Sequence, residues 1–247
     1  MSEVTKPIPV QPPSRNRFLF ALRCIFDVQL GSIVTHLKPY MTQSKGRLLD
    51  VGAGQMPWLD WINSDTDYVG LDVEAAESFG MSHSDKITYY DGNLFPFKNN
   101  SFDRCICIEV LEHTLDPDLL LSEIFRVLKP GGSVMLTVPW SARRHHTPHD
   151  FQRFTLEALT YKFDASGFSK IDVADRGTEL GVIANKTMVL CVRLLTSGSL
   201  LKRMVSLPLS LFSGLVCCVF LAAYSLQKWT KPKRSFDPLG YAITAEK

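Results

Sequence analysis

The stretch Leu48-Leu49-Asp50-Val51-Gly52-Ala53-Gly54 decides the fold. An apolar run carries one acid and ends in two glycines, one residue apart. Such a run reads as a buried parallel strand that turns where backbone must approach a ligand closely. A second run, Tyr68-Val69-Gly70-Leu71-Asp72, ends in another acid about 20 residues further on. That spacing suits a carboxylate gripping ribose hydroxyls in a doubly wound α/β fold.

Working outward, the chain from Arg47 to Pro139 alternates strand and helix patterns. Strands are expected near 47–51, 67–72, 87–90, 102–108 and 132–138, and Gly167-Phe168 before Ile171-Asp172-Val173 marks a sixth. The residues 119–128 form a helix with Leu120, Ile124, Val127 and Leu128 inward, stopped after Pro130 by Gly131-Gly132. Alternating β and α with right-handed crossovers gives a parallel sheet whose ligand sits at the strands' C-terminal ends. Asp50 to Gly54, Asp72, Asp91 and Glu109 all fall at or near those ends.

A dinucleotide oxidoreductase is the nearest competitor. It wants a third glycine three residues after Gly54, but that position is Pro57, which has no N–H to offer a pyrophosphate. Asp50 would also repel a diphosphate. A cationic ligand without phosphate fits better, and at this point the chain resembles the class I S-adenosylmethionine (SAM) methyltransferases. The resemblance runs on through Tyr90-Asp91-Gly92-Asn93-Leu94-Phe95-Pro96-Phe97, Ser101-Phe102-Asp103, Glu109-Val110-Leu111-Glu112-His113 and Arg126-Val127-Leu128-Lys129-Pro130-Gly131-Gly132. It is nearest to the small-molecule branch called type 11. It implies a Rossmann-like seven-stranded methyltransferase sheet, parallel with one antiparallel strand. It also implies a SAM site of Asp50, Gly52, Ala53, Gly54, Asp72, Val73, Asp91, Gly92, Asn93 and Glu109. Asp50 and the glycine backbone would face the methionine part, Asp72 the ribose hydroxyls, and Asp91 with Gly92 the adenine. Carboxylates accepting from hydroxyl and amino donors are chemically apt for this.

After the fifth strand, residues 140–155 leave the sheet on the ligand side and hold three of the chain's six histidines. An oxygen acceptor must lose a proton on methylation, and a neutral imidazole suits that task near neutral pH. His149 beside Asp150 is the first candidate base and His146 the second; Asp150 pairing with Arg153, three residues on, is the competing local arrangement. His145, His146, His149 and Asp150 are too tightly spaced in sequence to be read as a metal centre, and none is assigned. Pro148-His149-Asp150 with Arg153-Phe154-Thr155 resembles type 11 members associated with cell-surface sugars and lipids.

Composition bounds the rest. A formal net charge of +2 over 247 residues gives no case for nucleic acid. The six cysteines form no C-x-x-C, and buried thiols in the reducing cytoplasm are the simplest reading. Four segments are expected: a disordered tail over 1–16, a SAM-binding core over 17–180, an apolar helical insert over 181–235, and a final strand over 236–247 returning to the sheet. The amphipathic stretch 18–37 reads as one helix covering the sheet or the cofactor.

Residues 204–227 carry no charge and, as a helix of about 36 Å, are long enough to cross a bilayer core. Basic residues stand on both sides: Lys202 and Arg203 before, Lys228, Lys231, Lys233 and Arg234 after. Near-symmetric flanks, and a strand that must rejoin the sheet, call for a segment that dips into or lies along the membrane rather than crossing it once. Ser206, Ser210, Ser213 and Cys217 share one stripe, suited to packing on a second helix near 184–195. The expected protein is a cytoplasmic, membrane-associated SAM methyltransferase acting on a lipid-linked or amphiphilic hydroxyl. A soluble small-molecule methyltransferase and a non-catalytic SAM-binding scaffold are the alternatives. The sequence leaves the oligomeric state open.

Overall fold

A computed structural model describes residues 8–196, 198–227 and 234–247, with backbone alone at 78 and 79. Seven strands make one sheet in the order β3-β2-β1-β4-β5-β7-β6. They are β1 (Gly46–Val51), β2 (Thr66–Val73), β3 (Ile87–Tyr90), β4 (Phe102–Ile108), β5 (Leu128–Pro139), β6 (Ser169–Arg176) and β7 (Gly240–Glu246). The pairs among β1 to β5 are parallel, and β7 runs antiparallel to both β5 and β6. This is the expected methyltransferase sheet.

Side chains alternate across it, so each central strand feeds two cores. Leu49, Val51, Cys105, Cys107, Val134, Leu136 and Ile243 face α3 (Pro117–Val127) and α4 (Leu156–Ala165). Leu48, Ile106, Met135 and Ala242 face α2 (Val28–Thr42) and the stacked rings of Trp58 and Trp61. Cys105 and Cys107 are core residues with no solvent exposure.

Three expectations need correction. The stretch 18–37 is two helices, α1 (Arg17–Phe26) and α2, bent by 116°. Asp27 ends α1, and its carboxylate accepts from the Leu30 N–H at 3.1 Å to cap α2; an acid on a polar face and an acid that starts a helix look alike in sequence. The crossovers from β1 to β2 and from β2 to β3 contain only single 3₁₀ segments, Leu59–Trp61 and Glu74–Phe79, in place of full α-helices. Finally, the described part of the N-terminal tail is tied down. Arg23 donates to the carbonyls of Ile8 and Pro9 at 2.6 and 2.7 Å, and the Ser14 N–H donates to Asp60.

Beyond β6 the chain forms a helical hairpin, α5 (Glu179–Thr196) and α6 (Leu200–Gln227). The small-residue stripe packs as expected: the hydroxyls of Ser206, Ser210 and Ser213 donate to the carbonyls of Leu194, Cys191 and Thr187 on α5. Val182, Ala184, Leu221 and Tyr224 bury the hairpin's root against Val28 and Leu239. Arg234 of the expected basic flank lies beside Asp175 at 3.5 Å, and Lys228, Lys231 and Lys233 lie outside the described residues.

At the end of β6, Arg176 is fully buried. It donates to Glu109 at 2.8 Å, to the Val138 carbonyl at 3.0 Å and to the Tyr241 carbonyl at 3.2 Å. It thus joins β6, β7, β5 and the residue that follows β4. Replacing it with Met removes the charge partner of Glu109, which keeps the Thr137 hydroxyl, and a donor from each of two carbonyls. Arg176→Met is expected to cost about 3 kcal/mol in a denaturant titration. An unchanged unfolding midpoint would show that the pair does not hold this edge together.

Candidate active site

The turn after β1 is built by backbone geometry. Gly52 has φ +74°, and a Cβ there would meet Val110 Cγ2 at 2.3 Å. Only glycine fits such a position. The Gly52 N–H donates to the Leu71 carbonyl at 2.8 Å, which folds the turn over the end of β2. At that end, Asp72 accepts from the Gly54 N–H at 2.9 Å and from the Val73 N–H at 2.8 Å. These two bonds aim the Asp72 carboxylate along the turn, and each oxygen keeps a lone pair for a ligand hydroxyl.

Asp50 lies just behind, 2 % exposed, and accepts a short hydrogen bond from the Tyr68 hydroxyl. Burial drives its pKa up to about 7, opposed by the Tyr68 hydroxyl and assisted by the charge of Asp72. Burial likewise raises Asp72, against the two N–H bonds. Two acids close together and short of a counter-charge are suited to a cation. Asp91 is exposed and holds Asn93 through its N–H at 2.9 Å and its side-chain amide at 3.0 Å. Those same bonds pull the Asp91 carboxyl below its usual range.

The other half of the site follows β4. Glu109, at φ +55°, accepts from Arg176 and from the Thr137 hydroxyl at 3.0 Å. Glu112 is wholly buried; its backbone carbonyl accepts from the Phe151 and Gln152 N–H groups at 3.0 and 3.3 Å. The histidine loop is thereby stitched to the segment after β4. His113 Nδ1 lies 2.7 Å from the His149 carbonyl, and its ring meets those of His145 and His146 edge-on at 4.8 and 5.3 Å. Burial lowers the His113 pKa to about 4, so its imidazole is neutral at neutral pH.

Asp150 is held by its neighbours in the loop. Arg153 clamps its carboxylate with bonds of 2.6 and 2.8 Å, and the His145 N–H donates to it at 3.1 Å. The local Asp150–Arg153 arrangement is therefore the one present. His149 contributes its carbonyl to His113, and its ring centroid lies 6.2 Å from that of Phe151. Three participants escaped the sequence reading. Tyr68 opens the second run but nothing there marks its bond to Asp50, Arg176 belongs to no motif, and the meeting of Glu112-His113 with His145 depends on how the loop folds back.

The chain belongs to the methyltransferase-domain family, whose model matches residues 26–172. Its seven-stranded sheet, with the last strand antiparallel, is the fold of class I SAM-dependent methyltransferases. The ubiquinone biosynthesis O-methyltransferase of Rickettsia canadensis is 24% identical over 124 residues, covering 47% of this chain and 52% of that one. A sterol 24-C-methyltransferase of Aspergillus fumigatus is 36% identical over 99 residues, 35% of this chain and 26% of that one. The chain thus spans about half or less of the length of these curated relatives. A SAM-dependent methyltransferase from Archaeoglobus fulgidus shares the fold with a TM-score of 0.53 at 18% identity, over 93% of this chain and all of that one.

Taking Asp50 as the group that faces the cofactor's cationic end, SAM binding must be linked to its ionisation. The cation favours the carboxylate and lowers its pKa from about 7. Affinity is therefore full above pH 7 and lost as pH falls below it. Calorimetry should show SAM binding roughly tenfold weaker at pH 6 than at pH 7.5, with the slope flattened in Asp50→Asn. A flat profile for the unaltered protein would remove Asp50 from contact with the charge.

Proposed function

We propose that this methyltransferase transfers the methyl group of SAM to a hydroxyl of a lipid-linked or amphiphilic acceptor at a membrane surface. The observation that carries the reading is where the hairpin is rooted. β6 ends, α5 starts, and β7 begins at the same end of the sheet as Glu109, Glu112 and the histidine loop. Away from its root, α6 exposes Met204, Val205, Leu207, Leu209, Leu211, Phe212, Leu215 and Val219. A helix apolar on every side but one does not rest in water. Lys186 and Arg193, exposed on α5, and Lys202 and Arg203, at the start of α6, supply the cations an anionic surface attracts. The hairpin lies along the membrane with α6 deeper than α5. The relatives named for a sterol and for ubiquinone biosynthesis support an apolar acceptor.

When bound, SAM would supply a methyl carbon open to in-line attack by the acceptor oxygen, the C–S electron pair returning to sulfur so that the spent cofactor is a neutral thioether and the acceptor carries the methyl. Much of the rate comes from positioning, because the leaving group needs no protonation. Asp72 would hold the ribose hydroxyls, Asp91 and Gly92 the adenine, and Asp50 with Gly52 to Gly54 the amino-acid end. The acceptor's proton would pass to an imidazole of the loop, His149 first and His146 second.

The membrane half of this reading is tested by flotation with vesicles containing anionic phospholipid. The full chain should float with them. Leu215→Glu with Val219→Glu, at positions 64% and 59% exposed, should stay behind with SAM affinity unchanged. Equal flotation of both proteins, or of neither, would separate the acceptor from the bilayer. His149→Ala should lower turnover about 100-fold, the scale of a lost general base, at constant SAM affinity. Undiminished turnover would excuse His149.

A further inference from the structure

Glu112 poses a problem that the methyl-transfer reading leaves unsolved. Its carboxylate has no solvent exposure, and neither oxygen has a hydrogen-bond partner among the described residues. A buried carboxylate without partners is costly unless something compensates it. Burial and the neighbouring charge of Glu109 both push this carboxyl well above its usual range.

Two imidazole nitrogens aim at the same Glu112 oxygen. His113 Nε2 lies 3.6 Å from Oε1, and His145 Nε2 lies 3.9 Å from it. The ligand atoms of these three residues all fall within 4.8 Å of one another. The other nitrogen of each ring meets a backbone carbonyl: His113 Nδ1 faces the His149 carbonyl at 2.7 Å, and His145 Nδ1 faces the Arg143 carbonyl at 3.1 Å. A carbonyl oxygen only accepts, so each Nδ1 carries the hydrogen. In the neutral ring each Nε2 then presents a lone pair. An imidazole held by its Nδ1–H, with Nε2 turned inward, is the usual second layer around a bound metal ion.

Distances decide between a proton and a metal. Separations of 3.6 and 3.9 Å are too long for a shared hydrogen bond. Tetrahedral zinc with ligand bonds of about 2.0–2.1 Å places its ligand atoms about 3.3–3.5 Å apart. The two carboxylate–imidazole separations need to close by only a few tenths of an ångström, and the imidazole pair, within 4.8 Å, by up to about 1.4 Å, a movement of side chains on two separate segments. Asp150 and Arg153 brace the loop behind His145, through the His145 N–H bond to Asp150 and the clamp of Arg153 on it.

We propose that Glu112, His113 and His145 bind a divalent first-row transition cation, with Zn²⁺ the first candidate. Two imidazoles and one carboxylate leave a fourth position open. A water or an acceptor hydroxyl would be the chemistry suited to that fourth position. Only this last role rests on the methyl-transfer reading; the cation site itself does not. The ligands come from two places, the segment after β4 and the loop after β5, and histidine spacing within the loop does not reveal them.

The test is a titration of the full chain, stripped by chelator, with Zn²⁺ and with Co²⁺ as a coloured substitute. One equivalent should bind saturably, with Co²⁺ giving the visible bands of a low-coordinate site. Glu112→Gln and His145→Ala should each weaken binding tenfold or more, while His36→Ala on α2 should not. If Glu112→Gln fails to fold, His145→Ala decides, because its ring lies in a partly exposed loop. Absence of saturable binding, or full affinity in His145→Ala, would overturn the site and assign any bound ion to thiols. SAM binding by the stripped protein, read in parallel, reports on the methyltransferase reading independently.

Discussion

The insertion of β7 between β5 and β6, antiparallel to both, constrains everything that surrounds the site. Because the last strand must rejoin the sheet beside β6, whatever leaves after β6 must come back to the same edge. A single membrane crossing is thereby excluded for α6, despite its length and apolarity. The segment becomes a hairpin, closed by serine hydroxyls on opposing carbonyls and rooted at Val182 and Tyr224. The same register brings the starts of α5 and β7 to the strand ends where ligand binds. Arg176 then fastens that edge to the catalytic half through Glu109.

A second constraint is the shortage of positive charge. Asp50 and Asp72 sit buried at the ends of adjacent strands, and both are pushed toward protonation by burial. Glu112, after β4, is likewise raised by burial and by Glu109, against the charges of Arg153 and Arg176. The protein keeps three carboxyl groups in low dielectric, where each gains from an arriving cation. In the proposed reading the cationic end of SAM meets Asp50, and its ribose hydroxyls meet Asp72. For the third, two inward-facing imidazoles point to a metal ion. Acid accumulated at strand ends, which weakens the apo protein, is what makes these ends selective for positively charged guests.

Much of this was legible from residues alone, for physical reasons. Leu48 to Gly54 announces a buried strand because only burial on both faces tolerates such a run, and only a tight turn needs glycines so spaced. The returning strand and the serine stripe of α6 were readable because sheet pairing and helix packing have fixed periods. What was not readable was convergence. The bend at Asp27 depends on a cap that resembles an ordinary polar-face residue. Arg176 pairs with Glu109 across 67 residues, with no local pattern to mark it. The Glu112 cluster exists because Phe151 and Gln152 fold the loop back onto the Glu112 carbonyl. Of the two arrangements open to Asp150 in the sequence, the pairing with Arg153 is present.

The root of the apolar hairpin and the carboxylate-lined strand ends lie at one end of the sheet, so in the proposed reading the methyl group should end in molecules that partition with lipid. The direct test is transfer of a labelled methyl from SAM into a membrane-containing extract, followed by phase partition. Protein-dependent label in the lipid phase, lost in Asp72→Ala, is the result predicted. Label confined to the aqueous phase would contradict the account and leave the hairpin as packing or anchor alone.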